Sequence, residues 1–292
     1  MDGFIVIDKA PGMTSHDVVQ RARRILRIKK IGHTGTLDPF ATGVLPLAVG
    51  EGTKAIQFLD ECEKEYRAVL RLGAATDTQD CTGSTIFEGK WEHLQPQEVL
   101  EVLQSAVGIQ LQVPPMYSAV KKDGIPMYRL ARQGVEVERE AREINVLSLT
   151  VEDIRLPVVA FTLRCSRGTY VRTVAHDLGM KLGCGAHLTE LRRLASGPFG
   201  LSRALSLEAL EQGGAMQGLV SLQEALSHLP ECRLTPEGVR KVGFGISPAP
   251  PDCGCELPGM VRLSTPEGVL MAVASREEQG GTLRYRLQRV FR

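Results

Sequence analysis

One acid stands out among the residues that could do chemistry. Asp38 lies within Gly32–Gly43, GHTGTLDPFATG, where three glycines and three threonines surround it. Pro39 disfavours the helical region for the residue before it, and glycine reaches backbone angles closed to other residues. The stretch therefore reads as a tight polar loop that presents a single carboxylate. Such a carboxylate serves as a nucleophile or as a proton acceptor. The same residues also make an ordinary Asp-Pro turn, and nothing inside the loop decides between the two.

Other chemistry is poorly supported. Gly50-Glu51-Gly52-Thr53-Lys54 lacks the Gly-Lys-Ser/Thr order of a phosphate loop, and Gly243-Phe244-Gly245 lacks the third glycine and leading strand of a dinucleotide site. Asp77 and Asp80 lack the spacing and terminal Glu of a calcium loop and read as turn residues. His228, Cys232, Cys253 and Cys255 could supply four metal ligands, but at no usual zinc spacing. There is no His-x-x-x-His pair and no glycine-flanked serine. The chain is thus expected to need neither metal nor cofactor. What remains is one acid, several aromatics, and arginines in loops that follow strands.

The elements that must position these groups are legible in outline. Phe4–Ile7 reads as a buried strand, and Thr14 or Ser15 can cap the next helix, with Asp17 in its first turn. From Arg21 to Lys30 that helix and its exit carry four arginines, two lysines and no acid, either a solvated face or one turned to phosphates. Val44–Val49 is a second strand, and Gly50–Leu59 opens as a helix. Tyr66, Ala68, Leu70 and Leu72 share one face of a strand over 65–72, with Arg67, Val69 and Arg71 on the other. A helix is expected over 96–107, a turn at Asp123-Gly124, a short helix over 127–133, a strand through Phe161, Leu163 and Cys165, and a helix after Arg172 to Leu182. Leu191, within Leu188–Leu194, reads as helix core. From 229 prolines multiply and short alternating strands follow, which marks a small β-rich unit over 229–292. Thr-Pro-Glu-Gly-Val recurs at 235 and 265, too short to establish a repeat.

At 292 residues, 43% hydrophobic and 24% charged, with a net charge of +1, the chain has the composition of an ordinary globular protein. Nucleic-acid affinity would have to come from a local basic patch. The start of the chain lacks a signal-peptide pattern and no run approaches eighteen apolar residues. The seven cysteines, odd in number and scattered, fit reduced thiols in a cytoplasm.

Seven segments in order carry a resemblance: GFIVIDK at 3–9, GMTS at 12–15, GHTGTLDPFATGVLP at 32–46, EYRAVLRLG at 65–73, PPMYSAVK at 114–121, RGTYVRT at 167–173 and GCGAHLTELRRL at 183–194. Together they resemble the TruB family of bacterial tRNA pseudouridine-55 synthases over nearly the whole length. The family usually has proline directly after Asp-Lys, whereas Ala10 intervenes here. The resemblance implies a mixed α/β (α+β) catalytic domain over 1–228 with a central, mainly antiparallel sheet, and a PUA-like RNA-binding domain over 229–292. It implies an isomerase that flips uridine-55 out of the T-arm stem-loop of tRNA and rejoins the base through C5, without a guide RNA, as a cytoplasmic monomer. It makes Asp38 the catalytic aspartate, Tyr66 the aromatic beside the base and a candidate acceptor of the C5 proton, and Arg172 the partner that favours the charged carboxylate. It places His33, Tyr170 and Leu191 against the substrate, and Lys9 and Lys121 near it. The rival is a tRNA-binding chaperone whose catalysis is dispensable.

Overall fold

The apolar run Phe4–Ile7 becomes the middle of strand β1 (Gly3–Lys9), which pairs antiparallel with β3 (Thr42–Val49) from Gly3 opposite Val49 to Lys9 opposite Gly43. The structure, a computed structural model, describes residues 1–59, 63–122, 124–253, 257–279 and 282–291. Both strands are apolar without alternation because both of their faces are covered. Ile5, Ile7, Leu45 and Leu47 face one core, and Phe4, Val6, Val44 and Ala48 face another.

The ten-stranded sheet also contains β2 (Ile31–His33), β4 (Lys64–Leu72), β5 (Gly108–Gln112), β6 (Arg142–Arg155), β7 (Val158–Cys165), β8 (Ala186–Ser196), β9 (Phe199–Gly200) and β10 (Leu219–Val220). Its order is β10-β1-β3-β8-β4-β7-β6-β5, with β2 on β3 and β9 on β8. Among the described residues every pair in it is antiparallel except β3 with β8, where Thr42 and Gly43 face Arg192 and Arg193. The chain is therefore mixed α/β around a mainly antiparallel sheet. Helices α1 (Ser15–Leu26), α2 (Pro96–Gln104) and α3 (Val171–Lys181) contribute Val18, Ala22, Leu103, Val174 and Leu178 to the first core.

Some sequence expectations are corrected. Leu188–Leu194 is strand, not helix. Leu188 and Leu191 share a buried face three residues apart because the ladder with β4 slips by one between Leu188 and Glu190, which inserts Thr189 as an extra residue. That bulge turns a strand period into a helix-like one. The helix opened by Pro96 stops at Gln104 rather than 107, where the chain turns toward β5, and Gly50–Leu59 splits into a helical turn over Gly52–Ala55 and a 3-10 turn over Ile56–Phe58. At the expected Asp123-Gly124 turn, Asp123 lies outside the described residues, while Gly124 has a φ of 81°.

A second, four-stranded sheet follows the expected boundary at 229: β11 (Glu231–Arg233), β12 (Met260–Ser264), β13 (Leu270–Gln279) and β14 (Thr282–Val290), in that order, with helix α4 (Pro236–Gly243) against it. Its own core holds Leu234, Val242, Val261, Leu263 and Tyr285. Leu270, Val273 and Phe291 pack instead with Phe4, Val6 and Phe58 of the first unit. The two sheets thus share apolar surface. The repeated Thr-Pro-Glu-Gly-Val takes two shapes: Thr235 caps α4, whereas Thr265 opens the turn between β12 and β13. No helix among the described residues is long and apolar enough to cross a membrane.

Candidate active site

Asp38 sits where the sheet has its parallel seam, in the loop that feeds β3 beside β8. The loop is held from below by side chains that use its backbone. The capping box of α1 is made by Thr14 and Asp17, which leaves the buried Ser15 hydroxyl free to accept from Leu37 N at 2.8 Å and donate to Leu37 O at 3.1 Å. The Lys9 ammonium is fully buried and donates to the carbonyls of Ala10 (2.9 Å), Met13 (2.8 Å) and Pro39 (3.1 Å). Gly12 N also donates to Pro39 O at 2.8 Å. Two loops far apart in sequence are thereby tied together around Asp38. Burial pushes the Lys9 ammonium down to about 8, with Asp38 opposing that shift.

From the other side, Arg193 on β8 donates through Nε to Val44 O (2.6 Å), and through its Nη atoms to Gly35 O (3.1 Å) and Thr36 O (3.4 Å). Gly43 must be glycine here. Its φ is 100°, and a Cβ would collide with the Arg193 carbonyl oxygen across the parallel pair.

Arg172 reaches Asp38 from the first turn of α3. It donates through Nε to Oδ2 at 2.8 Å and through Nη2 to Oδ1 at 3.1 Å, a fork on both carboxylate oxygens. Its other donors go to Thr78 O (2.6 Å) and Tyr117 O (2.9 Å), and Asp80 Oδ2 lies 3.9 Å from Nη1. Arg172 is 2% exposed and the Asp38 side chain 30%, so the cation is internal while the acid is partly open to solvent. The start of α3 is fixed by Gln112 of β5, whose Oε1 accepts from Tyr170 N at 2.8 Å and whose Nε2 donates to Tyr170 O at 3.1 Å.

The remaining expected residues divide into two groups. Tyr66 is buried on β4, directly opposite Arg193, and burial pushes its phenol up. His33, at the end of β2, is partly buried with Nδ1 unpartnered, and burial pushes its imidazole down, with the Arg193 charge acting in the same direction. Tyr170 caps α3 with its backbone, and burial raises its phenol. Leu191 is buried in the first core opposite Ala68, so its contacts are those of packing. Lys9 is spent on carbonyls and has no free donor for a phosphate. Lys121 is exposed on the short strand Lys121–Lys122 and makes none of these contacts.

Residues outside the expected set complete the site. Arg193 appears in the sequence only as half of a basic pair. Asp80 does make a turn, accepting at Oδ1 from Thr78 Oγ1, Thr82 N and Thr82 Oγ1, but its other oxygen faces Arg172. Ser15 reads as a spare cap. No local signal marks any of the three, because their partners lie elsewhere in the chain. The basic run Arg21–Lys30 is half occupied: Arg21 meets Glu208 and Glu211, Arg23 donates to Ile31 O, and Lys30 meets Glu51. The metal candidates also have other engagements. His228 bonds Phe58 O, the buried Cys253 thiol is pushed up to about 12 by burial, and Cys255 lies outside the described residues; Cys232 is disulfide-bonded, which corrects the expectation that all seven cysteines are reduced. Among the described residues, no cluster of three or more His, Cys, Asp or Glu side chains could hold a metal ion.

A carboxylate held by a buried fork, with a buried phenol in the same core, suits chemistry at a single acid on a planar group. The family description "TruB family pseudouridylate synthase (N terminal domain)" matches residues 23–171, and "tRNA pseudouridylate synthase B C-terminal domain" matches 172–227. A Geobacter sulfurreducens protein named tRNA pseudouridine synthase B is 58% identical over 303 residues, with both chains covered completely. A Histophilus somni protein of the same name is 38% identical, covering 95% of this chain and 92% of its own. Among solved structures, one in a Cbf5-Nop10-Gar1 complex superposes with a TM-score of 0.79 at 28% identity, over 99% of this chain and 85% of the other.

Proposed function

Because the chain belongs to the TruB family of pseudouridylate synthases, we propose that it isomerises uridine-55 in the T arm of tRNA to pseudouridine. The observation that carries the reading is the fork of Arg172 on a partly exposed Asp38. Breaking the N1–C1′ bond and rejoining the base through C5 is redox-neutral and brings in no group. It requires a carboxylate at the ribose, which Asp38 supplies, and a buried cation to fix its geometry, which Arg172 supplies. A uridine within a folded arm must first be extruded, at about a few kcal/mol of unstacking. Tyr66 then offers a face for the base and an oxygen near C5, while His33, Tyr170 and the outer loop residues flank the displaced strand.

The unit over 229–292 is PUA-like in this reading and adds affinity for the tRNA body through exposed Arg276 and Arg284. The enzyme acts as a monomer on tRNA in the cytoplasm, without a guide RNA. The relatives named tRNA pseudouridine synthase B support this choice of substrate.

Mapping pseudouridine in a bare tRNA transcript tests the proposal. Wild type should convert position 55 alone, and Asp38→Asn should lower turnover by at least about 1,000-fold while still binding the transcript. Near-wild-type turnover by Asp38→Asn would overturn the role of Asp38. Binding without conversion by wild type would point to a chaperone instead.

A further inference from the structure

Among the described residues only Arg27 and Gln79 combine a positive φ with a side chain. Gln79, at 62°, ends a turn closed by its own N–H on Thr76 O at 3.0 Å, and its carbonyl accepts from Leu188 N of β8 at 3.1 Å. The left-handed region crowds a β-carbon and is the usual place for glycine. A glutamine held there needs a use for the rest of its side chain, and the structure shows one. Gln79 Oε1 accepts from Thr173 Oγ1 at 2.7 Å. Thr173 directly follows Arg172 on α3, and Thr78, directly before Gln79, offers its carbonyl to Arg172 Nη1 at 2.6 Å. Two adjacent turn residues thus grip two adjacent helix residues, one by its backbone and one by its side chain.

We propose that Gln79 is a positioning residue for Arg172, acting through Thr173. Leu188 fixes the turn to the sheet, and the Gln79–Thr173 bond fixes it to the helix. With both in place the Thr78 carbonyl stays on Nη1, and the guanidinium keeps its two bonds on Asp38. The inference rests on the pseudouridine synthase reading, in which Asp38 must meet the ribose at a set angle. Arg172 is 2% exposed, so a loosened fork shows in the rate of the chemical step rather than in the binding of tRNA. A displacement of about 1 Å at a reacting group can cost about 100-fold in rate, and losing one of several ties costs less than that. Gln79 lines a cavity with Tyr117 and His176, so truncating it widens existing space and leaves the core intact.

Wild type, Gln79→Ala, Gln79→Gly, Thr173→Val, Thr173→Ser and the double variant Gln79→Ala/Thr173→Val should be compared for kcat, KM and Tm on a tRNA transcript. Gln79→Ala and Thr173→Val should each lower kcat by about 10-fold with KM within about twofold of wild type. The double variant should be no slower than the slower single one, because both remove the same bond. Thr173→Ser keeps the hydroxyl and should recover most of kcat. Gln79→Gly should lose as much kcat as Gln79→Ala yet melt at a higher temperature, since glycine is at ease at this φ. A wild-type kcat in Gln79→Ala, a rise in KM alone, or losses that multiply in the double variant would overturn the proposal. So would a kcat that recovers with Tm in Gln79→Gly, which would mark a purely structural role. Should Thr173→Val fail to fold, the comparison of Gln79→Ala with Gln79→Gly decides alone. Absence of pseudouridine with wild type would instead defeat the functional reading itself.

Discussion

Arg172 and Asp38, 134 positions apart in the chain, meet through two hydrogen bonds that occupy both carboxylate oxygens. The guanidinium is immobilised by Thr78 O and Tyr117 O on its far side, so the direction in which it offers the fork is set before substrate arrives. Asp80, 3.9 Å from Nη1, keeps a carboxylate beside the buried cation even when Asp38 is replaced. That arrangement makes Asp38→Asn a variant expected to fold.

Arg172→Lys should be far from conservative. A lysine ammonium is a point charge that cannot present two parallel donors to one carboxylate. We expect kcat/KM for pseudouridine formation to fall by at least about 100-fold, with a measurable drop in Tm because two carbonyls lose their donor. Single-turnover rates and a thermal melt check both; an unchanged rate would mean that the fork is ornamental.

Lys9 should give a pH signature in stability. Its folded value, about 8, lies below its ordinary value of 10.5. Between these values the unfolded chain holds more protons than the folded one, so stability attributable to this group rises with pH across that window. The burial cost is present in full below about pH 8 and is relieved toward 10.5. Wild type should therefore gain stability relative to Lys9→Met as pH rises from 8 to 10, measured as the difference between paired denaturation curves. A flat difference would show that burial does not lower the ammonium's affinity for its proton.

Leu191→Ala separates packing from substrate contact. The side chain is 6% exposed in the main core, so truncation should cost about 2–5 kcal/mol of stability. At a temperature where the variant is fully folded, its KM for tRNA should stay within about threefold of wild type. A large KM change without loss of stability would return Leu191 to the substrate.

Arg276 and Arg284 lie exposed on β13 and β14, unlike Arg262 of β12, which is spent on Leu229 O and Gln223 O. Reversing both exposed charges to glutamate should weaken tRNA binding and reduce the slope of log affinity against log salt by about one per lost phosphate contact. The rate at saturating tRNA should hold. An unchanged salt slope would remove the second sheet from the RNA interface. Point substitution is preferable to deleting 229–292, which would strip Leu270, Val273 and Phe291 from the core shared with Phe4 and Val6.

The sequence discloses strands and helices wherever a single period governs them, as in Phe4–Ile7, Tyr66–Leu72 and the helix capped by Thr14. It misleads at Leu188–Leu194, where one bulge inserts a residue and mimics a helical spacing. The Asp38 loop is visible as a special backbone, yet residues alone could not join it to Arg172; only family resemblance made that link. Lys9 and Arg193 were least legible. A cation in sequence suggests a phosphate, whereas both of these are folded inward onto carbonyls. The paired Thr-Pro-Glu-Gly-Val segments make the same point, since one caps a helix and the other turns a hairpin.

The shared core between β1 and the second sheet also bears on how the protein is made. Residues leave the ribosome in order, at about 5–20 per second. Phe4 and Val6 therefore emerge well before Leu270, Val273 and Phe291, which share their core. Before that, Phe199, Val220, Ala225 and Leu226 already cover part of this face, and the second sheet completes it. The first strand is thus sealed by residues that lie more than 260 positions further along.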